Sequence, residues 1–244
     1  MSNPTFSLVI PTYNERVNIA PLLRQLSALL EKVLPGQYEL IVVDDDSPDR
    51  TWEAAQEIAA GMPQVSVIRR MGERGLATAV VAAWKTARGQ WLGVIDADLQ
   101  HPPEVVLALL AAMGRGADLA VGSRHVEGGS VSEWNLFRRA LSRGAQALGI
   151  LFLPSAARAV SDPMSGYFIV RADAVDLSQF RPLGYKILLE VLARGHFSRI
   201  EESGYVFQER REGASKVTWR QYWEYLVQIG RLWVDSWHRP RKSK

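Results

Sequence analysis

The strongest constraint on this chain is a pattern that recurs through its first half: a short apolar run, a polar or acidic cluster, then a stretch with apolar residues at helical spacing. Phe6–Ile10, Leu40–Val43, Val65–Ile68, Trp91–Ile95 and Leu119–Gly122 are the apolar runs, with the length and composition of strands buried on both faces. Between the first two, Ile19, Leu22, Leu23, Leu26, Leu29, Leu30 and Val33 follow the i, i+3/i+4 spacing of one buried helix face. Thr51–Ala60, Gly75–Ala87 and Glu104–Met113 are the next expected helices. Such alternation predicts an α/β fold, a doubly wound and mostly parallel sheet flanked by helices. With 244 residues, 47% of them hydrophobic, the chain can bury one large core.

Ligands of such sheets bind beyond the carboxyl ends of the strands. Three ends are unusually polar here: Tyr13-Asn14-Glu15, Asp44-Asp45-Asp46 and Asp96-Ala97-Asp98-Leu99-Gln100. Carboxylates crowded on one rim repel unless they hold a cation and accept hydrogen bonds from a ligand. Asp96 and Asp98 at i and i+2, with the Gln100 amide oxygen at i+4, form a hard-oxygen set suited to Mg²⁺ or Mn²⁺. Pro102-Pro103 then stops the strand and primes a helix. Pro11-Thr12-Tyr13 stands where a dinucleotide fold needs G-x-G-x-x-G. Gly213-Ala214-Ser215-Lys216 lacks the leading glycine of a P-loop. Phosphates are therefore expected to be bridged through a metal, which fits a nucleoside diphosphate carrying a sugar.

The second half is more basic. Gly122-Ser123-Arg124 ends a strand on a cation, and Glu127-Gly128-Gly129 reads as a flexible turn. Trp134–Phe152 is amphipathic and basic, equally consistent with lying on an anionic membrane and with an ordinary surface helix. Within it Arg138 and Ser142, at i and i+4, share a face that could grip a phosphate. Asp162–Phe168 reads as a turn feeding a strand, and Gly184–Arg194 as a helix with Lys186 in its first turn, where a cation needs a nearby anion. Ile200–Glu209 reads as one edge strand, leading to a basic loop. Lys186, Arg210 and Lys216, all in glycine-punctuated segments, are candidate phosphate contacts. A Trp-rich helix over Trp219–Trp237 and a basic tail favour an anionic membrane surface.

No cysteine is present, so disulfides and thiolate metal sites are excluded. Apolar runs such as Leu148–Pro154 are far short of the ~20 residues that cross a bilayer, and no signal peptide is expected at the N-terminus. The expectation is a peripheral protein on the cytoplasmic face of a membrane. A net charge of +3 implies no strong polyanion field, and acidic strand ends repel nucleic acid.

In register and in order over residues 6 to about 217, these motifs resemble the polyprenyl-phosphate (dolichyl-phosphate) mannose synthases, family 2 glycosyltransferases of the GT-A fold. The resemblance rests on Pro11–Arg16, Asp44-Asp45 with Ser47-Pro48-Asp49, Asp96–Pro103, Gly122–Arg124 with Glu127–Gly129, Asp162–Phe168, Gly184–Glu190 and Gly213-x-Ser215-Lys216. It implies a catalytic domain over 1–217, with an interface segment near 132–153, and a C-terminal helix and tail over 218–244. The implied reaction moves mannose from GDP-mannose to a polyprenyl monophosphate with inversion. Implied donor contacts are Pro11, Tyr13, Glu15, Val43, Asp45, Asp96, Ala97, Arg124, Lys186, Arg210 and Lys216. Asp96, Asp98 and Gln100 would hold the metal; Asp96, Asp98 and Arg124 would be catalytic; Arg138 and Ser142 would take the lipid phosphate. The family's short forms work on the membrane surface or with small membrane-anchoring subunits. Three residues depart from the pattern: Asp46 for the usual glycine, Glu73 for a frequent lysine, and Ala83 for a common glycine. The second leaves Arg74 as the cation of its loop. A UDP-glucose-dependent polyprenyl-phosphate glucosyltransferase, or a non-catalytic membrane or nucleic-acid binding module, are the alternatives.

Overall fold

The computed structural model describes residues 3–131, 158–208 and 219–238. Its centre is a seven-stranded sheet in the order β3-β2-β1-β4-β7-β5-β8. The strands are β1 (Phe6–Thr12), β2 (Tyr38–Asp44), β3 (Val65–Arg69), β4 (Trp91–Val94), β5 (Leu119–Ser123), β7 (Phe168–Arg171) and β8 (Ile200–Gly204). Among the described residues the helices are α1 (Arg16–Val33), α2 (Thr51–Ala59), α3 (Leu76–Trp84), α4 (Val105–Gly114), α5 (Ile187–Arg194) and α6 (Trp219–His238). Pairing is parallel except at β7, which runs antiparallel to both β4 and β5. The expected mostly parallel α/β sheet is what forms.

Alternation along each strand divides the core between the two sheet faces. Phe6, Leu8 and Ile10 of β1 pack with Leu40 and Val42 against α1 and α4. Val9, Ile41, Val43 and Val94 pack on the opposite face with α3, α5 and α6. The period of two in strands and the 3.6-residue stripe of α1 thus meet in one layer. On the second face Trp84 meets Phe168 and Phe180 edge-on, with ring centroids 6.1 and 6.4 Å apart.

Some boundaries differ from expectation. Pro11 does not stop β1, which continues to Thr12 beside β2. The amide of Ile95 donates to the carbonyl of Val9, so Pro11, two residues on, faces the side where β4 has already left the ladder. A missing N–H is harmless there. The expected edge strand over Ile200–Glu209 is two strands. β8 pairs with β5, and β9 (Val206–Phe207) pairs with β6 (Ser130–Val131) in a separate ribbon. Glu127-Gly128-Gly129 is a packed turn rather than a loose one: Gly128 adopts φ +78°, and the turn's backbone lies so close to Gly204 that no side chain could stand at Gly204. Lys186 sits just before α5, at its N-cap, not within its first turn.

Helix α6 has two faces. Tyr225, Ile229 and Leu232 are buried in the core, while Trp223, Leu226, Trp233 and Val234 are exposed, Trp223 by 68%. The Trp-rich helix expected over Trp219–Trp237 thus turns Ile229 into the core and Trp233 outward. Among the described residues no helix is long and apolar enough to cross a membrane.

Candidate active site

Parallel β2, β1 and β4 are neighbours, so their carboxyl ends open onto one rim, and Glu15, Asp45, Asp96 and Asp98 converge there. Antiparallel β7 begins at the same rim, because Phe168 pairs with Val94 near the end of β4 and with Val121 of β5. The Asp162–Tyr167 turn that feeds β7 is thereby delivered between the two parallel halves.

On the β1–β2 side the carboxylates are answered from within the protein. Asp44 accepts from the Thr12 hydroxyl at 2.8 Å, and from the Ser47 hydroxyl and amide at 2.6 and 2.8 Å. Asp45 accepts from buried Arg70 through Nε at 2.7 Å and from the Gly75 amide at 2.8 Å. Burial pushes the Asp45 carboxyl up, against the opposing pull of these donors. Asp46 pairs with Arg69, whose guanidinium lies 4.0 Å from the Trp52 ring. Glu15 accepts from Asn18 at 2.7 Å. Repulsion among these groups is thus relieved by hydrogen bonds, without requiring a cation at each.

This side also explains two departures from the family pattern. Asp46 has φ +54°, a conformation natural to glycine and tolerated by aspartate. Glu73 turns to Arg70, 3.2 Å away, and Arg74 lies over the Tyr13 ring at 4.6 Å. Arg74 is thereby held on the Tyr13 side of the rim. Pro11 and Ala97 line the rim as buried residues. Val43 is fully buried in the core, so only its backbone reaches toward the rim, where its carbonyl accepts from Thr12.

Across the rim, Arg124 donates to Asp162 through Nε at 2.6 Å, its second guanidinium nitrogen at 2.8 Å and its amide at 3.2 Å. Burial alone would push the Asp162 carboxyl up, but the Arg124 fork outweighs it and holds it below the usual range. Burial likewise opposes the Arg124 charge, and the same pair overrides it and raises its pKa. Lys186 donates to the Met164 carbonyl at 3.1 Å and lies 4.6 Å from the Tyr185 ring. Burial, aided by the Arg124 charge, pulls the Lys186 ammonium down to about 8, against the pull of Asp96 and Asp162.

The Asp96–Gln100 turn is strained and clasped. Leu99 takes φ +59°, and the Gln100 amide donates to Asp98 at 3.2 Å. The Gln100 side chain donates through Nε2 to the Gln208 carbonyl at 3.0 Å, while the Gln208 amide returns a bond to the Gln100 carbonyl. Its Oε1 is then the atom able to face a cation. Among the described residues no three Asp, Glu, His or Cys side chains form a metal-holding group. Two carboxylates and an amide oxygen still fit an ion that keeps few protein ligands and fills its shell with water and phosphate.

Of the residues expected at the site, Arg138, Ser142, Arg210 and Lys216, with the 132–153 segment, lie outside the described residues, as does the tail beyond His238. The others gather at the rim as described, Val43 through its backbone alone. Sequence reasoning missed Arg70, the role of Asp162 as the anion beneath Arg124, and His101 against Asp96. Each acts through another side chain, and only the D-P-x-x-G turn around Asp162 carried a visible signal.

Residues 7–175 match the model of the family described as glycosyl transferase family 2. A dolichol-phosphate mannosyltransferase of Pyrococcus furiosus is 46% identical over 93% of this chain, which spans 63% of that relative's length. One from Saccharomyces cerevisiae is 35% identical over 94% of this chain and 87% of its own. A glucosyl-3-phosphoglycerate synthase from Mycobacterium tuberculosis, solved with Mn²⁺, UDP-glucose and phosphoglyceric acid, shares the fold. It aligns with TM-score 0.69 at 20% identity over 98% of this chain and 81% of that one.

Proposed function

This chain belongs to glycosyl transferase family 2 and, within it, to the dolichol-phosphate mannosyltransferases; from that premise we propose that it transfers mannose from GDP-mannose to a polyprenyl monophosphate, inverting the anomeric carbon. The observation that carries this reading is the joining of Asp96, Arg124, Asp162 and Lys186 at one rim, beside a nucleoside side built from Pro11, Tyr13, Glu15 and Asp45. The mannosyl donor is supported by the relatives' names, and the divalent cation by the donor set and by the Mn²⁺ of the fold neighbour.

In this mechanism an oxygen of the acceptor phosphate attacks the anomeric carbon. The bond from that carbon to the diphosphate breaks, and its electrons leave with GDP. A phosphomonoester with second pKa ~6 is roughly 90% dianion at pH 7 and needs no general base. The chain's task is therefore to receive charge on the leaving diphosphate. Arg124, locked by Asp162, and Lys186, drawn toward Met164, are preorganised to do so. Asp96, Asp98 and Gln100 would hold Mg²⁺ or Mn²⁺, which when bound neutralises diphosphate charge. Arg210 and Lys216 would join Arg124 and Lys186 around the donor phosphates, and Arg138 with Ser142 would take the lipid phosphate.

Residues 1–217 are the catalytic unit in this reading, and 218–244 the helix and tail that face an anionic membrane on its cytoplasmic side, alone or with small membrane subunits. Exposed Trp223 and Trp233 on α6 support it. Replacing both by serine should release the protein from anionic vesicles in a flotation assay. Unchanged flotation would refute the membrane role of this face.

The decisive assay offers GDP-mannose, UDP-glucose and other nucleotide sugars against a short polyprenyl phosphate. Lipid-linked mannose formed from GDP-mannose alone is the expected product. Transfer from UDP-glucose would reassign the donor, and vesicle binding with no nucleotide affinity would leave only a binding module.

A further inference from the structure

His101 lies in the same stretch as Asp96 and Asp98, yet the chemistry above gives it no task. Its side chain is 3% exposed. The ring is caged by Tyr167 and Phe207, edge-on at 5.6 and 5.2 Å, and by Tyr205 at 5.3 Å. Tyr205 and Phe207 come from the far end of the chain, so the imidazole has no freedom to swing away. Its Nε2 lies 3.3 Å from Asp96 Oδ2. Nδ1 is buried and meets no hydrogen-bond partner among the described residues.

A buried N–H with no acceptor is costly, so the ring proton belongs on the nitrogen that faces a carboxylate. That assigns the Nε2–H form, donating to Asp96. The same carboxylate is confined on another side by backbone: a Cβ added at Gly166 would come within 2.5 Å of Oδ2 and 3.2 Å of Oδ1. Imidazole and glycine thus bound the carboxylate on two sides.

We propose that His101 is a positioning residue, which donates Nε2–H to Asp96 and so fixes the face that this carboxylate presents to the divalent cation. The proposal rests on the metal-dependent reading of the site. Partners that orient a metal-binding carboxylate or imidazole typically change metal affinity by about 10–100-fold when removed. A histidine that merely fills the aromatic cage would change only stability.

The test is Mn²⁺ binding to the full chain in the presence of GDP, followed by the electron paramagnetic resonance of free Mn²⁺. His101→Phe keeps a ring in the cage and removes the donor; His101→Leu also removes the donor, with a smaller aliphatic side chain, should the phenylalanine not be accommodated. Either should weaken Mn²⁺ binding about 10–100-fold, while His101→Gln, which retains an N–H donor, recovers most of the loss. Wild-type affinity in the donor-less variants overturns the proposal, as does an equal loss in all three. A wild-type chain that binds no Mn²⁺ with GDP overturns the metal-dependent reading itself, an outcome visible before any variant is made.

Discussion

On the β1–β2 side of the rim, Glu15, Asp44, Asp45 and Asp46 each find a partner in their own or an adjoining strand–helix unit. Across β4, β7 and β5 the partners come from remote chain: Arg124 and Asp162 are 38 residues apart, and Gln100 reaches Gln208 over 108. The first side is set by the sheet itself, its carboxylates held by short hydrogen bonds from neighbouring donors. The second is assembled late in the chain and sets the Arg124 and Lys186 cations among Asp96, Asp98 and Asp162. Local donors thus hold one half of the rim, remote chain places the cations of the other, and substitutions should separate them.

The largest effect is expected on the assembled side. Asp162→Ala removes the anion from a guanidinium whose side chain is only 10% exposed. An uncompensated buried charge costs about 3–5 kcal/mol of stability, measurable by urea unfolding. Asp162→Asn keeps the shape and one acceptor but releases the two-point grip on Arg124. Loss of ångström-scale positioning costs about 10²-fold in turnover, so kcat should fall by that order with donor KM less changed. If Asp162→Asn leaves kcat intact, the orientation of Arg124 is not what this side supplies.

On the β1–β2 side a smaller and different effect is expected. Asp45→Asn weakens the clasp that joins Arg70 and the Gly75 amide, and so loosens the loop that carries Arg74 over Tyr13. One charge-assisted hydrogen bond, ~1.5 kcal/mol, corresponds to about a tenfold rise in donor KM, with kcat nearly unchanged. A fall in kcat equal to that of Asp162→Asn would erase the distinction between the halves.

The same contrast accounts for what could be read before the fold was known. Strands β1 to β5 and their helices declare themselves through local periodicity, and a parallel sheet then gathers Tyr13, Asp45 and Asp96 on one rim by geometry alone. Antiparallel β7 leaves no such mark: Phe168–Val170 reads as a strand, but nothing in its residues says that it enters between β4 and β5. Its direction is what brings Asp162 under Arg124 and Gly166 against Asp96. Arg70 was equally hidden, because a cation after an apolar strand looks solvated until Asp45 is seen opposite it. The division of α6 was masked by its composition, since aromatic residues at helical spacing mark both a docked face and an exposed one.

An effect no larger than that of Asp45→Asn sharpens the comparison by pH. Lys186 has an ordinary value of 10.5 in the unfolded chain and about 8 in the folded one, so between these values the unfolded state binds more protons. Stability should therefore rise with pH across that window, as the cost of a buried ammonium is removed. Activity should move the opposite way, because the cation facing the diphosphate is lost: kcat/KM should fall roughly tenfold between pH 7 and pH 9. Lys186→Arg stays charged throughout and should flatten the profile, whereas Asp45→Asn should shift donor KM and leave the alkaline limb in place. A limb that survives in Lys186→Arg would assign the titration to another group and remove Lys186 from the working cations of the assembled half.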